Sequence, residues 1–178
     1  MHWKDTGGGN ESGLVLTKQG LTHGAPTNPL LAGGLVEVKF QGEVRSLGMR
    51  ARFAPSKSGS ISLVAWQSSI AEVFEAGQTR VPPTGFRLTA SPGEWTLTVL
   101  DEDGESTLAE GTYDASKGAE TFQIVRDDQQ VWVIDPTGAT TTASDPRVAS
   151  LAGPWATWGV QEFALGLNPA VIEAVWGG

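Results

Sequence analysis

The densest run of ionisable side chains in this sequence is Asp101-Glu102-Asp103-Gly104-Glu105. Acids at that spacing have two uses. A pair of carboxyls about 5–5.5 Å apart across a sugar performs retaining glycoside cleavage. Alternatively, Asp101, Asp103 and Glu105 together offer the clustered hard oxygens that Ca²⁺ takes. Both uses require the acids to converge on one point. Here a glycine interrupts them, and Asp with Gly is the composition of a tight turn whose side chains point to solvent. The run therefore reads first as an exposed hairpin turn, second as a Ca²⁺ site, and last as a catalytic pair.

Other catalytic arrangements lack parts. Asp5-Thr6-Gly7 spells the aspartic protease triplet, but it occurs once, in a Gly-rich stretch, and those enzymes need two aspartates sharing a proton. The only histidines are His2 and His23, both in loop-like segments, and no G-x-S-x-G elbow is present. Two distant histidines do not make a metal site. With no Cys in the chain, thiolate nucleophiles, thiolate metal sites and disulfides are excluded. No catalytic residue is assigned, and the chain is expected not to be an enzyme.

Seven Trp in 178 residues point instead to binding. Indole faces stack on sugar C–H surfaces and dominate interface energetics. Trp95 shares a face with Leu97 and Val99 and belongs to a core. Trp66 lies opposite the Ile61/Leu63/Ala65 row, Trp132 opposite Val131 and Val133, and Trp158 opposite Trp155. Trp66, Trp132 and Trp158 are the candidates for a ligand-facing groove, with Trp66 and Trp132 leading. The alternative is that both faces of these strands are covered and the three are packing residues. Arg50 and Arg52 form an outward stripe, and Asp145 and Arg147 flank Pro146 in a loop. These four either contact a polar ligand or pair with the protein's own acids.

The elements that would position these residues are short strands. Val36, Val38 and Phe40 alternate with polar residues, as do Leu47, Met49, Ala51 and Phe53, and then Ile61, Leu63 and Ala65. Trp95, Leu97 and Val99 repeat the pattern before the acidic turn. Thr121–Arg126 and Gln130–Ile134 flank Asp127-Asp128, a hairpin signal. Asp135-Pro136-Thr137-Gly138 suits a type I turn. Strands are also expected near Leu14–Lys18, Phe86–Ala90, Thr140–Ala143, Trp155–Leu165 and Val171–Trp176. Residues 21–34 read as loop. Residues 68–85, with AEVFEAG, fit a short helix or a strand. The count is ten to thirteen strands in one antiparallel two-sheet β-sandwich spanning 14–178, preceded by a Gly-rich arm, 1–13.

From Thr107 onward the order of features is TLAEGTY, TFQIVRDDQQVWVIDPTG, a loop with Asp145-Pro146-Arg147, GPWATWGVQEFALG and a closing IEAVW. This run resembles the concanavalin A-like or laminin-G-like jelly-roll superfamily. It is also similar to β-sandwich modules of actinobacterial phage tail proteins and secreted hydrolases. Over residues 35–178 the resemblance implies a jelly-roll sandwich whose last strand pairs near the start of the domain. It also implies a glycan-binding or assembly role more often than catalysis. The function expected is a non-catalytic virion, minor-tail or surface module that binds a cell-surface glycan or other virion subunits. A purely structural oligomerisation domain and a glycoside hydrolase or lyase are the alternatives.

Charge and hydropathy narrow the partners. Twelve basic against 20 acidic residues leave a net charge of −8, which repels phosphate backbones, so nucleic acid is not expected. No apolar run is long enough to insert in a membrane. The first 20 residues carry no apolar signal core, and a virion or extracellular location is expected. Unpaired sheet edges make homo-oligomers expected.

Overall fold

Two-residue alternation sorts nearly every strand into a core side and an outer side, and that sorting builds two stacked sheets. The computed structural model describes residues 14–23, 32–53, 59–67, 84–162 and 170–178. Within them run thirteen strands: β1 Leu14–Thr17, β2 Gly20–His23, β3 Ala32–Lys39, β4 Ser46–Arg52, β5 Gly59–Trp66, β6 Gly85–Ser91, β7 Glu94–Asp101, β8 Gly104–Thr112, β9 Ala119–Arg126, β10 Gln130–Ile134, β11 Thr140–Ser144, β12 Trp155–Glu162 and β13 Val171–Gly177. One 3-10 turn, Ala115–Lys117, joins β8 to β9. No helix among the described residues is long and apolar enough to cross a membrane.

The seven-stranded sheet has the order β1-β2-β13-β4-β9-β10-β11, and the six-stranded sheet β3-β12-β5-β6-β7-β8. The strand pairs are antiparallel. The closing strand β13 sits between β2 and β4, so the end of the chain is zipped to its beginning, as the jelly-roll resemblance implies.

The core lies between the sheets. Leu47, Met49, Ala51, Phe122, Ile124, Val131, Val133 and Ile172 fill it from the seven-stranded side. Ile61, Leu63, Phe86, Leu88, Trp95, Leu97, Val99 and Trp158 fill it from the other. The indole of Trp95 needs room across the β7–β8 pair, where its partner is Gly111. A Cβ at Gly111 would lie 2.6 Å from the Trp95 ring, so glycine is required by close approach rather than by a turn. Val148 and Leu151, on the loop after β11, close the core at its end.

Two expectations change. Residues 21–23 and 32–34, within the stretch read as loop, are strand, which puts His23 at the end of β2. The reason is pairing: β2 is held by β1 and β13, and Gly33 and Gly34 lie opposite Gln161 and Val160 of β12. Trp158 does not face a groove. It is 2% exposed, and its Nε1 donates to the Gly48 carbonyl at 3.0 Å across the sandwich. Trp155, its neighbour of opposite orientation, is the one that points out. The arm 1–13, with His2 and Asp5-Thr6-Gly7, and the AEVFEAG segment lie outside the described residues.

Candidate functional site

The outer side of the six-stranded sheet carries the residues that its core side leaves over. Reading across the strands by register, one row is Lys39, Trp155, Trp66, Gly85, Leu100 and Glu105. The next row is Glu37, Thr157, Val64, Arg87, Thr98 and Thr107. A third runs through Ser62, Thr89, Thr96 and Glu110. A bulge at Leu97/Thr98 shifts β8 by one residue, which keeps both Thr107 and Glu110 on the outer side.

Trp155 and Leu100 of the first row and Val64 of the second form a small apolar cluster separate from the main core. Lys39 Nζ sits 5.0 Å from the centre of the Trp155 ring, a cation–π contact that occupies one indole face. Trp66 is placed here by its backbone register alone.

The middle row is polar and partly buried. Thr98, Thr157 and Glu37 are buried on the outer side of the sheet. Between them Arg87 pairs with Glu105 through its Nη2. That contact, foremost, and the Thr98 hydroxyl hold the Glu105 carboxyl below the usual carboxylate range, against the opposing effect of burial. Arg87 Nε is buried and meets no hydrogen-bond partner among the described residues. A guanidinium donor left in that state costs free energy unless something accepts from it.

The outer side of the seven-stranded sheet differs. Its outward positions include Gly48, Arg50 and Arg52 on β4, Gln123 and Val125 on β9, Trp132 and Ile134 on β10, and Trp176 on β13. Trp132 is half-buried on this side, since Val131 and Val133 take the core. Arg50 and Arg52 are exposed, as the alternation predicts, and both reach Glu173, at 3.1 and 2.5 Å. The candidates Trp66 and Trp132 therefore belong to opposite sheets and do not share a site.

The loop pair is bonded within the protein. Arg147 forks onto both oxygens of Asp145 at 2.8 Å and donates through Nη1 to Asp101 at 2.6 Å. Its Nη2 also reaches Ser106 Oγ at 3.2 Å. These bonds tie the loop after β11 to the β7–β8 hairpin. They hold Asp101 and Asp145 below their ordinary pKa and raise that of Arg147. The acidic run does form the β7–β8 hairpin turn, with Glu102 and Asp103 exposed between the strands. Asp101 goes to Arg147 and Glu105 to Arg87, so Asp101, Asp103 and Glu105 do not converge. Among the described residues no group of three or more His, Cys, Asp or Glu side chains could hold a metal ion.

The carboxyls of Asp101, Glu105, Asp127 and Asp145 are held below their ordinary range. A general acid working near neutrality needs the opposite shift. The outer face of β6–β8 carries a set of hydrogen-bond donors and acceptors. Sequence reasoning missed Arg87 and named its partner Glu105 only as a metal or catalytic candidate. The available signal was Arg87 and Thr89 alternating with Phe86, Leu88 and Ala90 on one strand.

No protein-family profile matches the sequence, and no curated protein matches it. Solved structures do. The carbohydrate binding module CBM66 from Bacillus subtilis aligns with 98% of this chain and 94% of its own, at a TM-score of 0.62 and 10% identity. Congerin II liganded by lactose and MES aligns with 81% of this chain and 99% of its own, at 0.52 and 11%. Sheep galectin-11 in complex with glycerol aligns with 81% and 96%, at 0.51 and 11%. At these identities the likeness is one of fold: this chain is a jelly-roll β-sandwich of the concanavalin A-like kind.

Proposed function

We propose that the chain is a non-catalytic glycan-binding module whose sugar site is the outer face of β6, β7 and β8. The observation that carries this reading is Arg87. Its Nη2 is anchored by Glu105, its Nε is buried without an acceptor, and hydroxyl side chains surround it in the same and adjacent rows. Vicinal sugar hydroxyls accept from a guanidinium and donate to a carboxylate at once, so the Arg87–Glu105 pair offers complementary halves of one contact. The fold shared with a carbohydrate binding module and with galectins supports the same reading. The lowered carboxylates support a binding rather than a hydrolytic role.

A glycan array probed with the purified protein tests it. Binding to a defined set of oligosaccharides that falls at least tenfold in Arg87→Ala, about 1.4 kcal/mol, supports the proposal. An array without binders, or one unchanged by the substitution, refutes it. Presentation of the module on a virion, a phage tail or a cell surface is the setting that the sequence resemblance implies, and unpaired sheet edges favour a homo-oligomer. A trimer in sedimentation equilibrium would support a tail or fibre role, and a monomer would count against it.

A further inference from the structure

We propose that β11 is a self-association edge. It pairs antiparallel with β11 of a second copy of this chain, around a two-fold axis at Thr142, and joins two seven-stranded sheets into one. β11 is the outermost strand of its sheet, so one of its sides faces no strand. Which of its groups are free follows from the turns at either end of β10. Asp135 N donates to the Ala139 carbonyl at 3.0 Å, so the ladder bonds between β10 and β11 fall at the Val133–Thr141 and Val131–Ala143 pairs. On the other side, Asp127 N donates to the Gln130 carbonyl at 3.1 Å, which turns the Trp132 and Ile134 backbone groups to β9. Both sides of β10 give the same alternation. Thr140, Thr142 and Ser144 are therefore left with N–H and C=O groups that point away from the sheet, and all three residues are exposed.

That triplet is complementary to itself. A two-fold axis at Thr142 sets Thr142 against the partner's Thr142, and Thr140 against the partner's Ser144. Each such pair exchanges two N–H···O bonds in an antiparallel ladder. Hydroxyl side chains then meet hydroxyl side chains along one face, a favourable cross-strand combination. No charged side chain lies on β11. Asp145, just beyond it, is already engaged by Arg147. These features argue for a second copy over a foreign strand, because the two-fold axis alone fixes both the register and the side-chain match.

The other sheet edges carry devices that block such pairing. β8 has the bulge opposite Leu97/Thr98 and the acids Glu105 and Glu110. β3 carries Glu37 and Lys39. β1 is four residues long. One paired strand buries less than the roughly 800 Å² per partner of a stable complex, so the dimer is weak and depends on concentration.

The test is sedimentation equilibrium of the whole chain from micromolar to near-millimolar concentration, where a monomer–dimer equilibrium is expected. Thr142→Pro removes an outward N–H without touching the bonds to β10, and should weaken association at least about tenfold. Thr142→Lys sets like charges against each other on the axis and should do the same, which covers the case in which the proline variant fails to fold. Thr142→Glu alone should also stay monomeric, whereas an equimolar mixture of Thr142→Lys and Thr142→Glu should dimerise again. Glu110→Ala, on β8, should match the wild type. As wild-type concentration rises, amide exchange should slow at Thr140, Thr142 and Ser144, while Thr141 and Ala143 are protected throughout. The proposal is overturned by a monomer at every concentration, by a trimer, or by a dimer indifferent to Thr142→Pro and Thr142→Lys. A charge-swapped mixture that stays monomeric, or a dimer lost in Glu110→Ala, would overturn it as well.

Discussion

On the six-stranded sheet, the outward positions of β6, β7 and β8 carry Arg87, Thr89, Thr96, Thr98, Glu105 and Thr107, and several polar groups there are buried or paired. On the seven-stranded sheet the outward positions carry Trp132, Ile134, Val125 and Trp176, the last laid over Gly48, with arginines tied to one glutamate. Both faces come from the same period-two rule applied to strands that share one core. What differs is what the leftover side chains can do. One face presents directed hydrogen-bond donors and acceptors. The other presents flatter apolar area.

The two faces rest on a common scaffold, and the largest expected effect comes from removing it. Trp158→Ala should cost about 3–5 kcal/mol of folding free energy, because the ring is buried and its Nε1 holds Gly48. Denaturant unfolding would measure it. Trp132→Ala, half-buried on the outer side, should cost clearly less. Equal costs would mean that the seven-stranded face is covered and the comparison fails.

Gly111→Ala should come next, at about 1–3 kcal/mol from overpacking. The new methyl would meet the Trp95 ring at the edge strand β8. Its effect should fall on the six-stranded side. Amide exchange in β7 and β8 should rise while β4 and β9 stay protected, and uniform deprotection would contradict that division.

Acid should also separate the regions. Arg147 lowers the pKa of Asp101 and Asp145, and Arg87 that of Glu105. A carboxylate with a lowered folded pKa adds stability that is present above its unfolded value and lost as pH falls through the folded one. The window therefore opens below about pH 4, the unperturbed carboxylate range. Arg147→Gln should be less stable than the wild type at pH 7, with the gap closing as pH drops below that range. A gap independent of pH would mean that the ion pairs are not the source. The smallest effect is expected from Arg50→Ala and Arg52→Ala, exposed partners of Glu173, at under about 1 kcal/mol in thermal unfolding.

Much of the scaffold was legible in the sequence, because alternation and turn chemistry act locally. Leu47, Met49 and Ala51, Trp95, Leu97 and Val99, and the turns at Asp127 and Asp135 all lie where the pattern places them. Asp135 Oδ1 accepts from Thr137 N and Ala139 N, the side-chain bonding that makes Asp a turn residue. The loop reading of residues 32–34 failed because their strand character comes from β12, more than a hundred residues away, and that of 21–23 because the hairpin to β1 and the contact with β13 leave no alternation to read. The ligand-facing groups were less legible. Trp132 and Trp158 look alike in the sequence, each opposite an apolar or aromatic neighbour, yet one is half out and the other fully in. Which face of β12 meets the core depends on its pairing with β3 and β5. Arg87 carried no aromatic marker and became visible only when register placed it beside Glu105.

The central claim is that β6–β8 holds the sugar. It is tested most directly by titrating the isotopically labelled protein with the strongest binder from the glycan array and following amide shifts. Shifts confined to Arg87, Thr89, Thr96, Thr98, Glu105 and Thr107, and abolished in Arg87→Ala, are the expected result. Saturable binding that leaves those amides unmoved would contradict the account.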